Sequence, residues 1–156
     1  MALVIVLAEV PDVRVHTRRT KVVVGVINFA GGLRNESCSG WENNLVDVFG
    51  DYGRGARYPS LWIYGDNDRF WPWPLPERMF NSYKANVSGA AKDTHFVDVG
   101  EFDGDSHQLF SDSAGIAVWL PEVETFFRDH GLPFDVEPPE AEPVTRGVTS
   151  NRRQKS

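Results

Sequence analysis

A carboxylate and an imidazole follow two neighbouring predicted strands of the chain. Asp68 comes shortly after the strand-like run Ser60–Tyr64, and His107 comes a few residues after the run Thr94–Val99. In an open parallel sheet both loops emerge at the carboxyl edge, where ligands bind, so the two side chains can meet. A carboxylate beside an imidazole fixes the tautomer of the ring and stabilises its charged form. The spacing therefore predicts a pair able to act as a general base on a nucleophile.

The nucleophile itself has no clear motif. The strained G-x-S-x-G elbow that exposes a catalytic hydroxyl is absent from the sequence. Cys38 precedes Asp68 in the chain and lies in the loop Asn35–Gly40, which makes it a possible nucleophile, although this loop lacks the first glycine of an elbow. The other interpretation is that this single cysteine is a small structural residue. It has no second cysteine with which to form an internal disulfide.

Three aromatic residues follow Asp68 and allow two interpretations. Phe70, Trp71 and Trp73 could form the wall of a substrate site for an apolar acyl or aromatic group. They could equally be core residues at the start of a helix. As a group we take them as candidate substrate-binding residues.

The carboxylates near these loops suggest a further function, the binding of a hard divalent cation. Asp66, Asp68, Asp103 and Asp105 could gather with His107 around Ca²⁺ or Mg²⁺. Their spacing fits no EF-hand loop, because the glycine and the final glutamate are missing. We therefore predict no metal at the site and keep cation binding as a minor alternative.

The elements that must position these residues alternate between strands and helices. Continuous apolar runs ending in glycine predict buried strands, and apolar residues at spacings of three and four predict helices. The strands are expected at Lys21–Ala30, Ser60–Tyr64 and Thr94–Val99, and the helices from Trp41 to Gly53, from about Pro74, and from Pro121 to Gly131. This order predicts a three-layer α/β fold with a short, mostly parallel sheet.

Several of these segments resemble the α/β-hydrolase fold, and within it the dienelactone hydrolase-like family. They are Gly25–Gly32, Leu61–Asp68, Asp105–Phe110 and the closing helix at Trp119–Val123. The resemblance spans about residues 23 to 133 and corresponds to the C-terminal part of that fold.

The resemblance implies hydrolysis of an ester or lactone, a small-molecule substrate, by nucleophilic catalysis without a cofactor. The family's chain order is nucleophile, acid, histidine, so Asp68 corresponds to the catalytic acid and His107 to the catalytic base. The family's elbow precedes the strand that corresponds to Val23–Phe29, and residues 1–20 do not resemble it. We therefore expect a truncated or rearranged hydrolase with little or no turnover alone.

A non-catalytic role is the main alternative. If the strands that would flank Val22–Phe29 are missing, this apolar strand lies at an exposed sheet edge, which favours strand pairing between copies. The chain would then be an interaction module that forms homo-oligomers.

Composition and length bear on the number of domains, the kind of partner and the location of the protein. The 156 residues suit one domain, and the net charge of −6 disfavours nucleic acid as a partner. The apolar run Met1–Val10 is too short to cross a bilayer, so we expect a cytoplasmic protein that does not bind membranes. We divide the chain into an atypical segment (1–20), a truncated hydrolase-like domain (21–134) and a disordered tail (135–156).

Overall fold

A computed structural model describes residues 2–11, 19–132 and 134 of the chain. The predicted disordered tail, 135–156, lies outside the described residues. The predicted atypical segment, 1–20, is described over 2–11 and 19–20, and both of these stretches are β-strand.

In the described residues, four strands form one sheet in the order in which they occur along the chain. They are β1 (Ala2–Pro11), β2 (Arg19–Phe29), β3 (Ser60–Tyr64) and β4 (Thr94–Asp98). β2, β3 and β4 are parallel to one another, with Ile27 opposite Leu61 and Leu61 opposite His95. The predicted α/β class with a short parallel sheet is therefore confirmed.

The prediction of an exposed edge at Val22–Phe29 is wrong. β1 pairs antiparallel with β2 along its length, from Ala2 opposite Phe29 to Pro11 opposite Arg19. The backbone groups that would have attracted another chain are therefore used within the same molecule. The outer strands of the described sheet are β1 and β4. Formation of homo-oligomers by the chain stays a prediction.

Over the ranges that the structure describes, three α-helices lie between or after the parallel strands: α1 (Trp41–Gly55), α2 (Leu75–Asn86) and α3 (Ile116–Asp129). Short 3-10 turns occur at Gly89–Lys92, Ser106–Phe110 and Ser113–Gly115. In the described part of the chain, no helix combines the length and apolar character needed to cross a membrane.

The side chains of β3 alternate between two apolar clusters, as the pleat of a strand requires. Trp62 and Tyr64 pack with residues of α1 and α2. Leu61 and Ile63 pack with residues of α3. Helices therefore cover the sheet on both faces, which explains why all five residues of β3 are buried.

The start of α3 differs from the prediction. Pro121 was expected at the first helical position, whereas α3 begins at Ile116 and contains this proline. The preceding 3-10 turn leads directly into the helix, and the Asp112 carboxylate accepts the Ala114 N–H at 2.8 Å. Trp119, before Pro121, packs against Phe29 of β2 with ring centroids 5.4 Å apart, and this packing offsets the helical hydrogen bond that a proline cannot donate.

The end of α1 also differs, because Gly53 lies inside the helix and does not stop it. A Cβ atom at Gly53 would lie 2.3 Å from the carbonyl oxygen of Tyr83 in α2. The glycine is therefore needed for the close approach of two helices.

Replacing Gly53 by alanine is expected to lower the free energy of unfolding by about 1–3 kcal/mol, because the added methyl group overlaps backbone that cannot move freely. The matched control is Gly55→Ala in the same helix, where a Cβ would have nothing within 4 Å. Urea unfolding followed by circular dichroism measures both changes. Equal stability of the two variants would contradict the proposed close packing of α1 on α2.

Candidate functional site

The loop after β3 holds the Asp68 carboxylate in a fixed orientation. Its Oδ1 atom accepts hydrogen bonds from the backbone N–H groups of Phe70, at 2.7 Å, and Trp71, at 2.8 Å. The residue is buried. Two short hydrogen bonds from the following residues fix the orientation of the carboxylate and leave Oδ2 free for another partner.

The loop after β4 presents His107 on a short 3-10 turn. The Asp105 carboxylate accepts the backbone N–H of His107 at 3.1 Å and that of Arg69 at 3.0 Å. Desolvation opposes ionisation of Asp105, but these backbone donors outweigh it and hold the pKa of this carboxyl below its usual value. Asp105 therefore helps to position the histidine loop against the loop after β3.

Asn67 joins the two loops. Its Oδ1 atom accepts the backbone N–H groups of Phe102 and Ser106, both at 3.1 Å, and its Nδ2 atom donates to the Asp103 carbonyl at 3.0 Å. Sequence reasoning missed this residue, because nothing in the run Gly65–Asp68 distinguishes an asparagine with distant partners from one that stabilises its own turn.

The close approach of the loops also depends on Gly65, directly after β3. A Cβ atom there would lie 2.5 Å from Cβ of Ser106 and 2.7 Å from the Gly100 carbonyl oxygen. Only glycine leaves room for the histidine loop at this point.

Asp68 and His107 meet as predicted. The Nδ1 atom of His107 lies 3.1 Å from Oδ2 of Asp68. The Asp68 side chain is 1% exposed and that of His107 is 24% exposed, so the carboxylate is shielded and the ring reaches the surface. In the described part of the chain, the ring has no other hydrogen-bond partner. This geometry gives His107 an Nε2 atom that is free to exchange a proton with a bound molecule.

The three aromatic candidates lie in different environments. Phe70 stacks on the His107 ring, with centroids 4.9 Å apart, and is 41% exposed. Trp73 is 39% exposed and lies beside Phe96. Trp71 is 1% exposed, and its Nε1 atom donates to the Ala30 carbonyl at 2.6 Å. Phe70 and Trp73 stay candidate substrate contacts. Trp71 is a core residue that packs beneath the surface of the loop and bonds to the turn after β2.

Arg34 brings a positive charge close to this aromatic surface. Its guanidinium lies 5.0 Å from the centre of the Phe70 ring and donates to the Phe70 carbonyl oxygen. Glu36 forms an ion pair with it. Sequence reasoning missed Arg34, because a single arginine in a polar loop carries no local signal of a distant aromatic partner.

The turn after β2 is held by buried polar groups. The Tyr64 hydroxyl donates to the Gly31 carbonyl at 2.6 Å, and the Asn28 carboxamide accepts the Gly31 N–H at 2.8 Å. Burial raises the pKa of the Tyr64 hydroxyl far above its ordinary value, so the group remains a donor. Ala30 adopts a positive φ of 41° in this turn, a conformation that these hydrogen bonds must maintain.

Cys38 is exposed, and in the described part of the chain it forms no hydrogen bond with His107. The Asn35 side chain donates to its sulfur at 3.6 Å. In the described residues, no serine, threonine or cysteine side chain forms a hydrogen bond with the His107 ring. The structure therefore brings Asp68 and His107 together without placing Cys38 within hydrogen-bond distance of the ring.

The cation alternative receives no support from the arrangement of the carboxylates. Within residues 2–11, 19–132 and 134, no group of three or more His, Cys, Asp or Glu side chains could hold a metal ion. Asp68 and Asp105 are instead engaged by backbone N–H groups and by His107. Comparison of the chain with protein-family models, with curated proteins and with solved structures found no match.

Proposed function

We propose that the chain is a hydrolase of the α/β-hydrolase type, similar to the dienelactone hydrolase-like family, and that it acts on an ester or lactone. The observation that carries this proposal is the hydrogen bond between Asp68 and His107. The two residues come from loops that follow adjacent parallel strands, which is the position of the acid and the base in that fold.

In this proposal, His107 acts through its Nε2 atom. Nε2 removes a proton from the attacking hydroxyl, thiol or water as its oxygen or sulfur bonds to the ester carbonyl carbon. The tetrahedral intermediate collapses, the bond to the leaving oxygen breaks, and the imidazolium returns its proton to that oxygen. Asp68, buried and hydrogen-bonded to Nδ1, stabilises the imidazolium between these two steps.

Low turnover follows from the same geometry. In the described residues no side-chain nucleophile reaches His107, so water is the attacking group that the site can activate directly. The exposed faces of Phe70 and Trp73 supply an apolar surface beside the imidazole. We therefore propose a small ester or lactone with an apolar or aromatic part as substrate.

Replacing His107 by alanine tests the activity. Hydrolysis of p-nitrophenyl acetate by the unmodified protein is expected to fall at least tenfold, because general-base catalysis contributes about 10²–10⁴-fold where it operates. The measurement is the initial rate of p-nitrophenolate release, corrected for the rate given by an equal concentration of free imidazole.

The matched control is His95→Ala. His95 also faces a carboxylate, with its Nε2 atom 2.5 Å from Oδ1 of Asp93, but it is exposed and lies away from the two loops. We expect this variant to retain the rate within about twofold. The hydrolase proposal fails if the two alanine variants have the same rate, or if the unmodified protein is no faster than free imidazole.

A further inference from the structure

A cavity of about 580 Å³ lies between the sheet and α1. Val26 of β2 and Trp62 of β3 contribute the sheet side, Leu45 and Val48 contribute the helix side, and the loop after β2 contributes Cys38. Neither Asp68 nor His107 lines this cavity. It is therefore a second feature of the fold, separate from the acid–base pair.

The lining of the cavity is mainly apolar and carries no charged side chain among the described residues. None of its described lining residues is Asp, Glu, Lys or Arg. Three of them are unusually exposed for large apolar residues: Leu33 at 64%, Tyr52 at 52% and Val48 at 36%. Binding sites for small molecules have this character, with mainly apolar and aromatic walls. A charged ligand would lose its hydration here without gaining an opposite charge.

The size of the cavity also indicates the kind of occupant. Small-molecule sites typically measure about 300–1,000 Å³, and this cavity lies within that range. An α-helix is about 10 Å across, so roughly 7 Å of its length, fewer than two turns, would fill the same volume. The cavity is therefore too short for stable docking of a partner helix.

We propose that this cavity is a binding site for an uncharged, mainly apolar small molecule with an aromatic or branched aliphatic body. Trp41 and Trp62, both in the lining, offer flat aromatic surfaces to such a body. Cys38 and its partner Asn35, also in the lining, offer weak polar contacts at the loop. Binding at this site needs no contribution from Asp68 or His107.

Titration with N-phenyl-1-naphthylamine, a neutral apolar fluorophore, tests the site. We expect saturable binding of one probe per chain, with quenching of tryptophan fluorescence because two tryptophans line the cavity. Val48→Arg places a charge in the lining and is expected to weaken binding at least tenfold.

Val118→Arg is the matched control, since Val118 is also 36% exposed on a helix but does not line the cavity. We expect it to bind the probe within about twofold of the unmodified protein. Thermal unfolding of both variants shows whether the arginines alter the fold equally.

Labelling of Cys38, the single cysteine, gives a second measurement. Saturating probe is expected to slow its reaction with 5,5′-dithiobis(2-nitrobenzoate) at least threefold in the unmodified protein, and not in Val48→Arg. The proposal is overturned if binding does not saturate, if both arginine variants weaken it equally, or if Cys38 is not protected. It is also overturned if the chain self-associates and copies displace the probe, since the occupant would then be a second copy.

Discussion

Replacing Trp71 by alanine is expected to lower the free energy of unfolding by about 3–5 kcal/mol, the usual range for removal of a buried tryptophan. The ring is 1% exposed and packs edge-on against Phe70. Gly32 has no side chain, and a Cβ atom built there would lie 2.8 Å from ring atoms of Trp71. The backbone of the turn after β2 therefore packs closely against the indole.

The lost hydrogen bond adds to the lost packing. Trp71 Nε1 donates to the carbonyl of Ala30, and Ala30 itself has a positive φ. Without the indole this buried carbonyl oxygen loses its partner, which costs about 1–3 kcal/mol in proteins. Trp71→Phe removes the donor but keeps part of the aromatic packing, so we expect an intermediate loss of stability.

Trp73→Ala is the control for this series, because Trp73 lies two positions away and is 39% exposed. We expect a loss below about 1 kcal/mol. Urea unfolding curves with a common slope measure all three variants. If Trp71→Ala were no less stable than Trp73→Ala, Trp71 would not be a core residue, and its first interpretation as a substrate contact would return.

The strands of the sheet core could be predicted because their signals are local. β3 has the predicted bounds, Ser60–Tyr64, and β4 ends one position before the predicted Val99. β3 is an apolar run closed by Gly65 and buried along its whole length. β4 lies at the sheet edge and is only partly buried, and its signal is a short run rich in β-formers before Gly100. The meeting of Asp68 with His107 followed from these strands alone, because parallel neighbours end at the same edge of the sheet.

The pairing of β1 with β2 could not be predicted in the same way. An apolar run of this length is compatible with a strand, a buried helix or a targeting segment, and Glu9 and Pro11 interrupt its pattern. What identifies it as a strand is its partner, and the partner is specified by the register of the whole pair. That information is not contained in residues 1–20.

The supports of the candidate site escaped prediction for a related reason. Asn67 accepts hydrogen bonds from the backbone N–H groups of Phe102 and Ser106. Gly53, in the helix pair α1 and α2, leaves room for the carbonyl group of Tyr83. Each of these contacts joins parts of the chain that become neighbours only after the sheet and helices have packed. Asparagine and glycine are common in turns and at helix ends, so their types alone favour a local role.

A second large effect on activity is expected from Asp68→Asn. The Oδ1 atom of Asp68 accepts two backbone N–H groups, and an acceptor must remain there. The introduced amide therefore keeps its oxygen at that position and turns its NH₂ group toward Nδ1 of His107. An N–H donor facing Nδ1 favours the tautomer with its proton on Nε2.

This change removes the base without removing the histidine, because Nε2 then carries the proton and has no lone pair for the nucleophile. We expect the His107-dependent rate of ester hydrolysis to fall by about 10²-fold or more. Asp66→Asn is the control in the same turn. Desolvation and the neighbouring Asp98 carboxylate raise the pKa of Asp66, but it does not contact the ring, so we expect the rate to stay within about twofold.

The ¹⁵N chemical shifts of the His107 ring test the physical cause independently of turnover. At a pH where the ring is neutral, the unmodified protein is expected to carry its ring proton on Nδ1, hydrogen-bonded to Asp68, and Asp68→Asn to carry it on Nε2. A lower rate with an unchanged tautomer would mean that Asp68 acts through its charge alone. An unchanged rate with a changed tautomer would mean that Nε2 of His107 is not the base, because a protonated Nε2 cannot accept the proton of a nucleophile.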